Sequence, residues 1–174
     1  MNDARHSPQP TEGLGLESTQ PGKRSGFQPS LKGRALRLLS QREHSRQELE
    51  RKLRPFEEVP GELAQALDDL QAKDFINEQR VLESVVNRRA SKLGAARVKQ
   101  ELQAKGLDAH AVSEALQGLR ETEVERAREV WRKKFGEPAA DANARAKQMR
   151  FLLTRGFASE AVRRVVSGAD DASD

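Results

Sequence analysis

The sequence predicts an all-α protein: a tandem array of three three-helix repeats forming an elongated, curved molecule. Composition is the first support. Ala, Leu, Glu, Gln, Lys and Arg dominate the 174 residues, aromatic side chains make up only 4% and Tyr is absent, which favours helix over sheet. Apolar residues also recur three and four apart, the spacing of one helix face. Finally, "ELQAKGLDAHAVSEAL" at 101–116 is answered fifty residues later by "FLLTRGFASEAVRRVV" at 151–166. In that overlay Leu102 matches Leu152, Lys105 matches Arg155, Gly106 matches Gly156, Leu107 matches Phe157, and Ala111 and Val112 match Ala161 and Val162. A period of about that length signals repeated units that bury their faces against their neighbours.

The elements follow in order. Residues 1–30 hold four of the seven prolines and little apolar periodicity. Such a segment buries too little surface to offset its ordering entropy, so a disordered tail is expected. "LKGRALRLLSQR" at 31–42 starts the first helix, with Leu31, Ala35, Leu38 and Leu39 on one face. Ser45 and Glu48 form an S-x-x-E capping box that opens the second, where Leu49 and Leu53 share a face. "RPFEEVPGE" breaks the chain, because Pro55 and Pro60 remove backbone donors and restrict the residues before them. Leu63, Leu67 and Leu70 then stripe a helix over about 62–73. "NEQRVLESVVNRRASKL" carries Val81, Leu82, Val85 and Val86 up to a bend at Gly94, and "AARVKQELQAK" carries Val98 and Leu102 up to Gly106. "DAHAVSEALQGLR" starts on Asp108 as N-cap and presents Val112, Leu116 and Leu119. The last three helices are "ETEVERAREVWRKKF", with Val124, Ala127, Trp131 and Phe135 on its core face, then "ADANARAKQMRFLLTR" and "ASEAVRRVV". The units expected are therefore 31–74, 75–120 and 121–167, followed by an acidic, disordered 168–174.

Gly106 and Gly156 fall where a helix ends on a left-handed residue, which costs a side-chain-bearing residue about 1 kcal/mol. The apolar residue after each glycine (Leu107, Phe157) can fold back on Leu102 or Leu152, the contact of a Schellman cap. In the first unit Arg54, Pro55 and Phe56 stand in place of the glycine. Even so, Leu53, Leu67 and Leu70 align with Leu102, Leu116 and Leu119 at an offset of 49.

Several chemistries are disfavoured. There is no Cys, so disulfides and thiolate metal sites are excluded. His6, His44 and His110 lack any ligand spacing, and "TEGLGLES" follows no strand, so it is no phosphate loop. No catalytic, cofactor-binding or metal-binding residue is nominated, and a non-enzyme without cofactors is expected. No segment is apolar for long enough to cross a bilayer and the N-terminus has no signal-peptide core. A cytoplasmic, monomeric protein is the expectation.

Charge points to partners. Residues 31–166 carry 28 basic groups against 21 acidic, net +7, while the last eight residues carry −3. An excess of that size suits nucleic acid or a nucleoprotein. The basic residues cluster at 32–54, at 88–99 and at 132–164, and Arg88, Arg89, Lys92, Arg97 and Lys99 make up the middle cluster. The candidate contacts are Arg34, Arg37, Arg46, Arg51, Lys52, Arg88, Arg89, Arg97, Lys99, Arg132, Lys133, Lys134, Lys147, Arg150 and Arg155. Each could instead be a solvated helix face with intrahelical partners, as Glu48 beside Lys52 allows.

These stretches together resemble the RecX family, bacterial regulators of the RecA recombinase. The likeness rests on "ALRLLSQREHSRQELERKL", "ALDDLQAKDFINEQRVLESVVNRR", "LGAARVKQELQAKGL" and "KQMRFLLTRGF", in that order across 31–166. The resemblance implies a non-enzymatic regulator that lies in the groove of the RecA–DNA filament. There it would hamper ATP hydrolysis, strand exchange and co-protease activity, in recombination, DNA repair and the SOS response. DNA, single- or double-stranded and without sequence specificity, is the other partner implied. An alternative reading is a sequence-independent DNA-binding protein that acts without the recombinase.

Overall fold

A computed structural model describes residues 28–168. The tails expected to be disordered therefore lie, but for Gln28, Pro29, Ser30 and Gly168, outside the described residues. Among the described residues the chain forms nine α-helices and a single 3-10 turn, with no strand. The helices are α1 (Leu31–Leu39), α2 (Arg46–Leu53), α3 (Glu62–Ala72), α4 (Glu78–Arg89), α5 (Ala95–Ala104), α6 (Ala109–Glu121), α7 (Glu123–Lys134), α8 (Ala142–Thr154) and α9 (Ser159–Ser167). The turn, Arg54–Phe56, stands where the prolines predict a break. α1 stops three residues short of the predicted end, where the Ser40 hydroxyl donates to the Arg37 carbonyl and competes with the helix ladder.

The core divides into three clusters, each filled by three consecutive helices. Ala35, Leu49, Leu53, Leu63, Leu67 and Leu70 fill the first. The second centres on Val81, Val85, Val98, Leu102, Val112 and Leu116, and the third on Ala127, Val130, Leu152, Phe157, Val162 and Val165. Each buried Leu or Val removes enough apolar surface from water to favour folding by about 1.5–3 kcal/mol. One predicted face needs correcting. On α7 the buried positions are Glu123, Ala127 and Val130, whereas Trp131 is only partly buried at the rim of the third cluster. Its indole N–H needs a polar partner and donates to Gln148 Oε1 at 2.9 Å. Phe135 caps the helix end and meets Phe151 edge-on, ring centroids 5.2 Å apart.

The capping signals hold at atomic detail. The Ser45 hydroxyl accepts from Glu48 N–H while the Glu48 carboxylate accepts from Ser45 N–H. Asp108 accepts from the N–H groups of His110 and Ala111. Gly106 has φ 72° and Gly156 φ 82°. Leu107 N–H donates to Leu102 O, Gly106 N–H to Gln103 O, and the same two bonds join Phe157 to Leu152 and Gly156 to Leu153. Both loops are thus complete Schellman caps.

A third such cap closes α3, where Asp74 stands left-handed at φ 58° and Phe75 N–H donates to Leu70 O. Its sequence, Leu-Gln-Ala-Lys-Asp-Phe at 70–75, parallels Leu-Gln-Ala-Lys-Gly-Leu at 102–107. Sequence reasoning missed it because the signal was sought only in glycine. Asp tolerates the left-handed region, and here its carboxylate is occupied by Asn77 Nδ2 at 2.8 Å and Arg80 Nη1 at 2.7 Å.

Each glycine cap does more than end a helix: it docks on the N-terminus of the middle helix of the preceding unit. The cap after α8 lies against the start of α5. Gly94 N–H donates to Arg155 O at 3.0 Å and Ala96 N–H to Gly156 O at 3.3 Å. A Cβ on Gly94 would fall 2.1 Å from Gly156 O, so the two backbones meet with no room for a side chain. The cap after α5 lies likewise against the start of α2, where the Ser45 hydroxyl donates to Lys105 O at 2.6 Å. A Cβ on Gly106 would lie 2.2 Å from Gln47 Oε1. Among the described residues no unit stands before the first one, and the turn after α2 docks on none. Proline is tolerated there, and Phe56 remains 48% exposed.

Candidate functional site

Two polar junctions fix how the units stand on one another and so place the basic surface. Between the first and second units, Glu48 is buried and takes Arg42 Nη2 at 2.9 Å and Lys105 Nζ at 2.8 Å. Burial alone would raise its pKa, but the hydrogen bonds from Arg42, Lys105 and Ser45 N–H outweigh that and hold it at about 2. His44, also buried, sits beside it. Its Nδ1 lies 3.0 Å from Arg42 O and its Nε2 3.1 Å from Lys52 Nζ. Desolvation depresses the imidazole pKa, assisted by the positive charges of Arg42 and Lys52. The neutral ring therefore carries its proton on Nδ1 and accepts from Lys52. Lys52 thus pairs with His44 and not with Glu48, as a simple i,i+4 reading would have it.

Between the second and third units, α5 lacks a side-chain cap of its own, and the third unit supplies one. The buried Glu123 carboxylate accepts Ala95 N–H at 3.0 Å, placing negative charge at the positive end of the helix dipole. The half-buried Arg126 closes the other side. Its guanidinium donates to Ala90 O at 2.8 Å, Leu93 O at 2.7 Å and Leu119 O at 2.6 Å. Ala90 O and Leu119 O are carbonyls at the ends of α4 and α6 that helix geometry leaves without partners, and Leu93 O lies in the turn before α5. Sequence reasoning missed Arg126, because nothing local marks an arginine whose acceptors lie 33 and 36 residues away.

With the units so placed, the predicted basic residues sort into separate groups. Three are spent on structure. Arg46 pairs with Glu50 and Asp68 at 3.0 and 2.7 Å, and Arg88 and Arg89 share Glu101. In the first unit, Arg34, Arg37 and Lys52 line a groove beside Leu38 and Phe56, with the Arg34 guanidinium 4.2 Å from the Phe56 ring centroid. A second groove crosses from the second unit to the third, where Lys92 comes together with Lys133, Lys134 and Arg155 over Val130 and Phe151. Arg155 stacks on Phe151 at 3.8 Å, which holds its charge at the groove wall.

Arg132 departs from its sequence neighbours. Successive helix residues point about 100° apart, so it faces a different pocket with Arg128, Arg145 and Arg164. Arg97 hydrogen-bonds Gln100 at 3.1 Å and packs its backbone against Gly156. Lys99 lines a further shallow pocket at the second junction with Arg120 and Leu153. Arg37, Arg51, Lys99, Arg132, Lys134, Lys147 and Arg150 have no salt-bridge partner among the described residues. Arg51, Lys147 and Arg150 stand exposed on the helix faces.

Among the described residues no group of His, Asp or Glu could hold a metal ion, and no helix is long and apolar enough to cross a membrane. What the arrangement offers is several separate grooves lined by basic side chains, on helices joined through two polar junctions.

The three sets of helices coincide with three family models. Residues 32–70 match RecX, first three-helix domain; residues 77–116 match the second, and residues 121–166 the third. A regulatory protein RecX of Leptothrix cholodnii is 54% identical over 147 residues, 84% of this chain and 94% of the relative. One from Herminiimonas arsenicoxydans is 48% identical over 148 residues, 85% of this chain and 98% of the relative. The crystal structure of RecX from Lactobacillus salivarius superimposes with a TM-score of 0.67 at 26% identity, covering 80% of this chain and 94% of that one. With the order of its three domains, its helical architecture and its relatives in agreement, the chain belongs to the RecX family of regulatory proteins.

Proposed function

We propose that this chain is a non-enzymatic regulator that binds the RecA–DNA filament along its groove, in the cytoplasm. It would restrain the filament's ATPase, strand-exchange and co-protease activities in recombination, DNA repair and the SOS response. The observation that carries the reading is the groove across the second junction. There Lys92, Lys133, Lys134 and Arg155 converge from two units onto one surface. A positive groove flanked by further basic surface suits a nucleoprotein that presents phosphates at regular intervals. The relatives named as regulatory proteins support the regulatory class. Arg34, Arg37 and Lys52 in the first unit are assigned to the same interface, at its other end.

The test is the DNA-dependent ATPase of RecA on single-stranded DNA, titrated with this protein below the recombinase concentration. Inhibition at a substoichiometric ratio is the expected result, since one long molecule would block several subunits or growth at a filament end. No inhibition, with binding to bare DNA intact, would favour direct DNA binding without the recombinase. In that case affinity should fall steeply with salt, in proportion to the phosphates neutralised.

A further inference from the structure

Phe56 stands at the turn after α2, where the turns after the other two middle helices place Leu107 and Phe157. Those two are 8% and 3% exposed, buried in the cores of their units, whereas Phe56 is 48% exposed. Two grooves meet on its ring, and Pro29 also lines both. One, of about 330 Å³, runs between α1 and α2 over Leu38 and Leu53. Arg34, Arg37 and Lys52 stand on its walls, with no carboxylate among the described residues. The other, of about 740 Å³, runs between α1 and α3, where Glu58, Glu62 and Asp69 outnumber Lys32. The sign of the surface therefore reverses across Phe56. We propose that this surface docks a segment of a partner protein that carries an apolar anchor for Phe56, acidic residues on one side of the anchor and basic residues on the other.

Charge complementarity selects this occupant. A nucleic-acid backbone repeats one sign of charge along its length. A strand laid over Phe56 would be attracted in the first groove and repelled in the second. A polypeptide can change sign within a few residues. The positive wall is already in position. The Arg34 guanidinium lies 4.2 Å from the ring centroid and donates to Pro29 O at 3.1 Å, and Lys52 Nζ is held 3.1 Å from His44 Nε2. Little side-chain freedom is left to lose on binding. Arg37 is exposed and has no salt-bridge partner among the described residues, which leaves its fork for a carboxylate. On the negative side Asp69 is spent on Lys32 and Lys73, while Glu58 and Glu62 stand exposed. Within the interface proposed above, on which this assignment rests, the first unit takes protein while the groove across the second junction takes phosphates.

The probes are end-blocked, dye-labelled heptapeptides, titrated with the full chain and read by fluorescence anisotropy. Glu-Glu-Glu-Phe-Lys-Lys-Lys and its reverse separate the charges around a central Phe. Glu-Lys-Glu-Phe-Lys-Glu-Lys has the same composition with the charges mixed, so general attraction to a basic protein is equal for all. One of the two block peptides should bind about fivefold or more tighter than the mixed one. Arg34→Gln/Arg37→Gln and Glu58→Gln/Glu62→Gln should each abolish that preference. Lys147→Gln/Arg150→Gln, which removes two charges from exposed positions of the third unit, should keep it. Circular dichroism checks that helicity is retained, and Arg37→Gln alone stands in if the arginine pair loses it. Replacing the central Phe by Ala should weaken the block peptide about fivefold or more, as loss of a buried anchor does. Equal binding of block and mixed peptides would overturn the proposal, and so would a preference that the groove variants leave intact. A labelled oligothymidylate is titrated in parallel. If Arg34→Gln/Arg37→Gln weakened its binding as much as that of the block peptide, and Lys147→Gln/Arg150→Gln did not, the groove would belong to a nucleic-acid backbone and the proposal would fall. None of these readouts uses RecA. The expected peptide preference beside an uninhibited RecA ATPase would fault the functional reading alone, and inhibition without the preference would fault only this one.

Discussion

At Gly94 the nearest heavy atoms to a would-be Cβ belong to the backbone of another unit, at Gly156 O, C and Phe157 N. Backbone cannot swing aside as a flexible side chain can, so Gly94→Ala should force the second junction open and cost about 2–3 kcal/mol in urea unfolding. Gly118 makes the opposite case. It lies exposed within α6, where an added Cβ meets nothing within 4 Å. Gly118→Ala should therefore stabilise by about 0.5–1 kcal/mol through helix propensity and a less free unfolded chain. A loss of stability in that variant would mean that α6 does not run as described. Gly106→Val combines a β-branched residue at φ 72° with a clash against Gln47. It should lower stability by about 1 kcal/mol or more, seen as a lower melting temperature. The buried carboxylate and imidazole of the first junction give a pH signature. Both pKa values lie below their unfolded counterparts, so the unfolded chain takes up the protons first and stability is lost as pH falls. Loss should begin below about pH 6.5 through His44. It should steepen below about pH 4.5 through Glu48, whose share is about 2 kcal/mol after allowance for solvent screening. Glu48→Gln should flatten the lower limb of a stability-versus-pH curve measured by chemical denaturation, and an undiminished limb would sink that assignment.

At the scale of elements, the middle helix of each unit is the part that joins units. α5 receives its N-terminal partners from Arg155 O, Glu123 and Gly156 O, all in the third unit, whereas α8 relies on its own Asp141, which accepts Ala144 N–H at 2.7 Å. Arg126 supports the same junction from α7. Replacing it with Met would strip three carbonyls of their donor and should cost about 2 kcal/mol or more. Arg126→Lys should recover only part of that, because a single ammonium cannot reproduce the fork. If Arg126→Met melted like the parent, these carbonyls would have to be satisfied some other way. The apolar stripes of most helices, and the caps at Ser45, Asp108, Gly106 and Gly156, were legible in the sequence, since period and capping chemistry are local. The joints were not. Lys105 reads as a cation at the end of a helix dipole, yet it is buried on Glu48, 57 residues away, and no local pattern encodes such a pairing. Gly94 reads as a bend, and only the fold reveals that its lack of a side chain serves Gly156.

At the scale of the molecule, three docked units turn scattered charge into a surface. The repetition explains itself: the second and third units each bring a glycine cap that fits the unit before it, so the array can grow without a new interface being invented. The candidate interface was legible only as clusters of basic residues. Which members share a face depends on the two junctions, and those bring in Lys92 and send Arg132 to another side. That separation yields the most direct test of the proposed function. Lys133→Glu/Lys134→Glu reverses two charges in the groove across the second junction, while Arg132→Glu alters the adjacent pocket on the same helix. All three side chains are exposed, so helicity and melting should change little in either variant. If the groove carries the contact, the double variant should weaken inhibition of the RecA ATPase about tenfold, about 1.4 kcal/mol of binding, with Arg132→Glu much closer to the parent. Equal weakening by both would mean that only total charge matters, as in non-specific attraction to DNA. A double variant that inhibits like the parent would move the interface off this groove and onto the Arg34, Arg37 and Lys52 surface of the first unit.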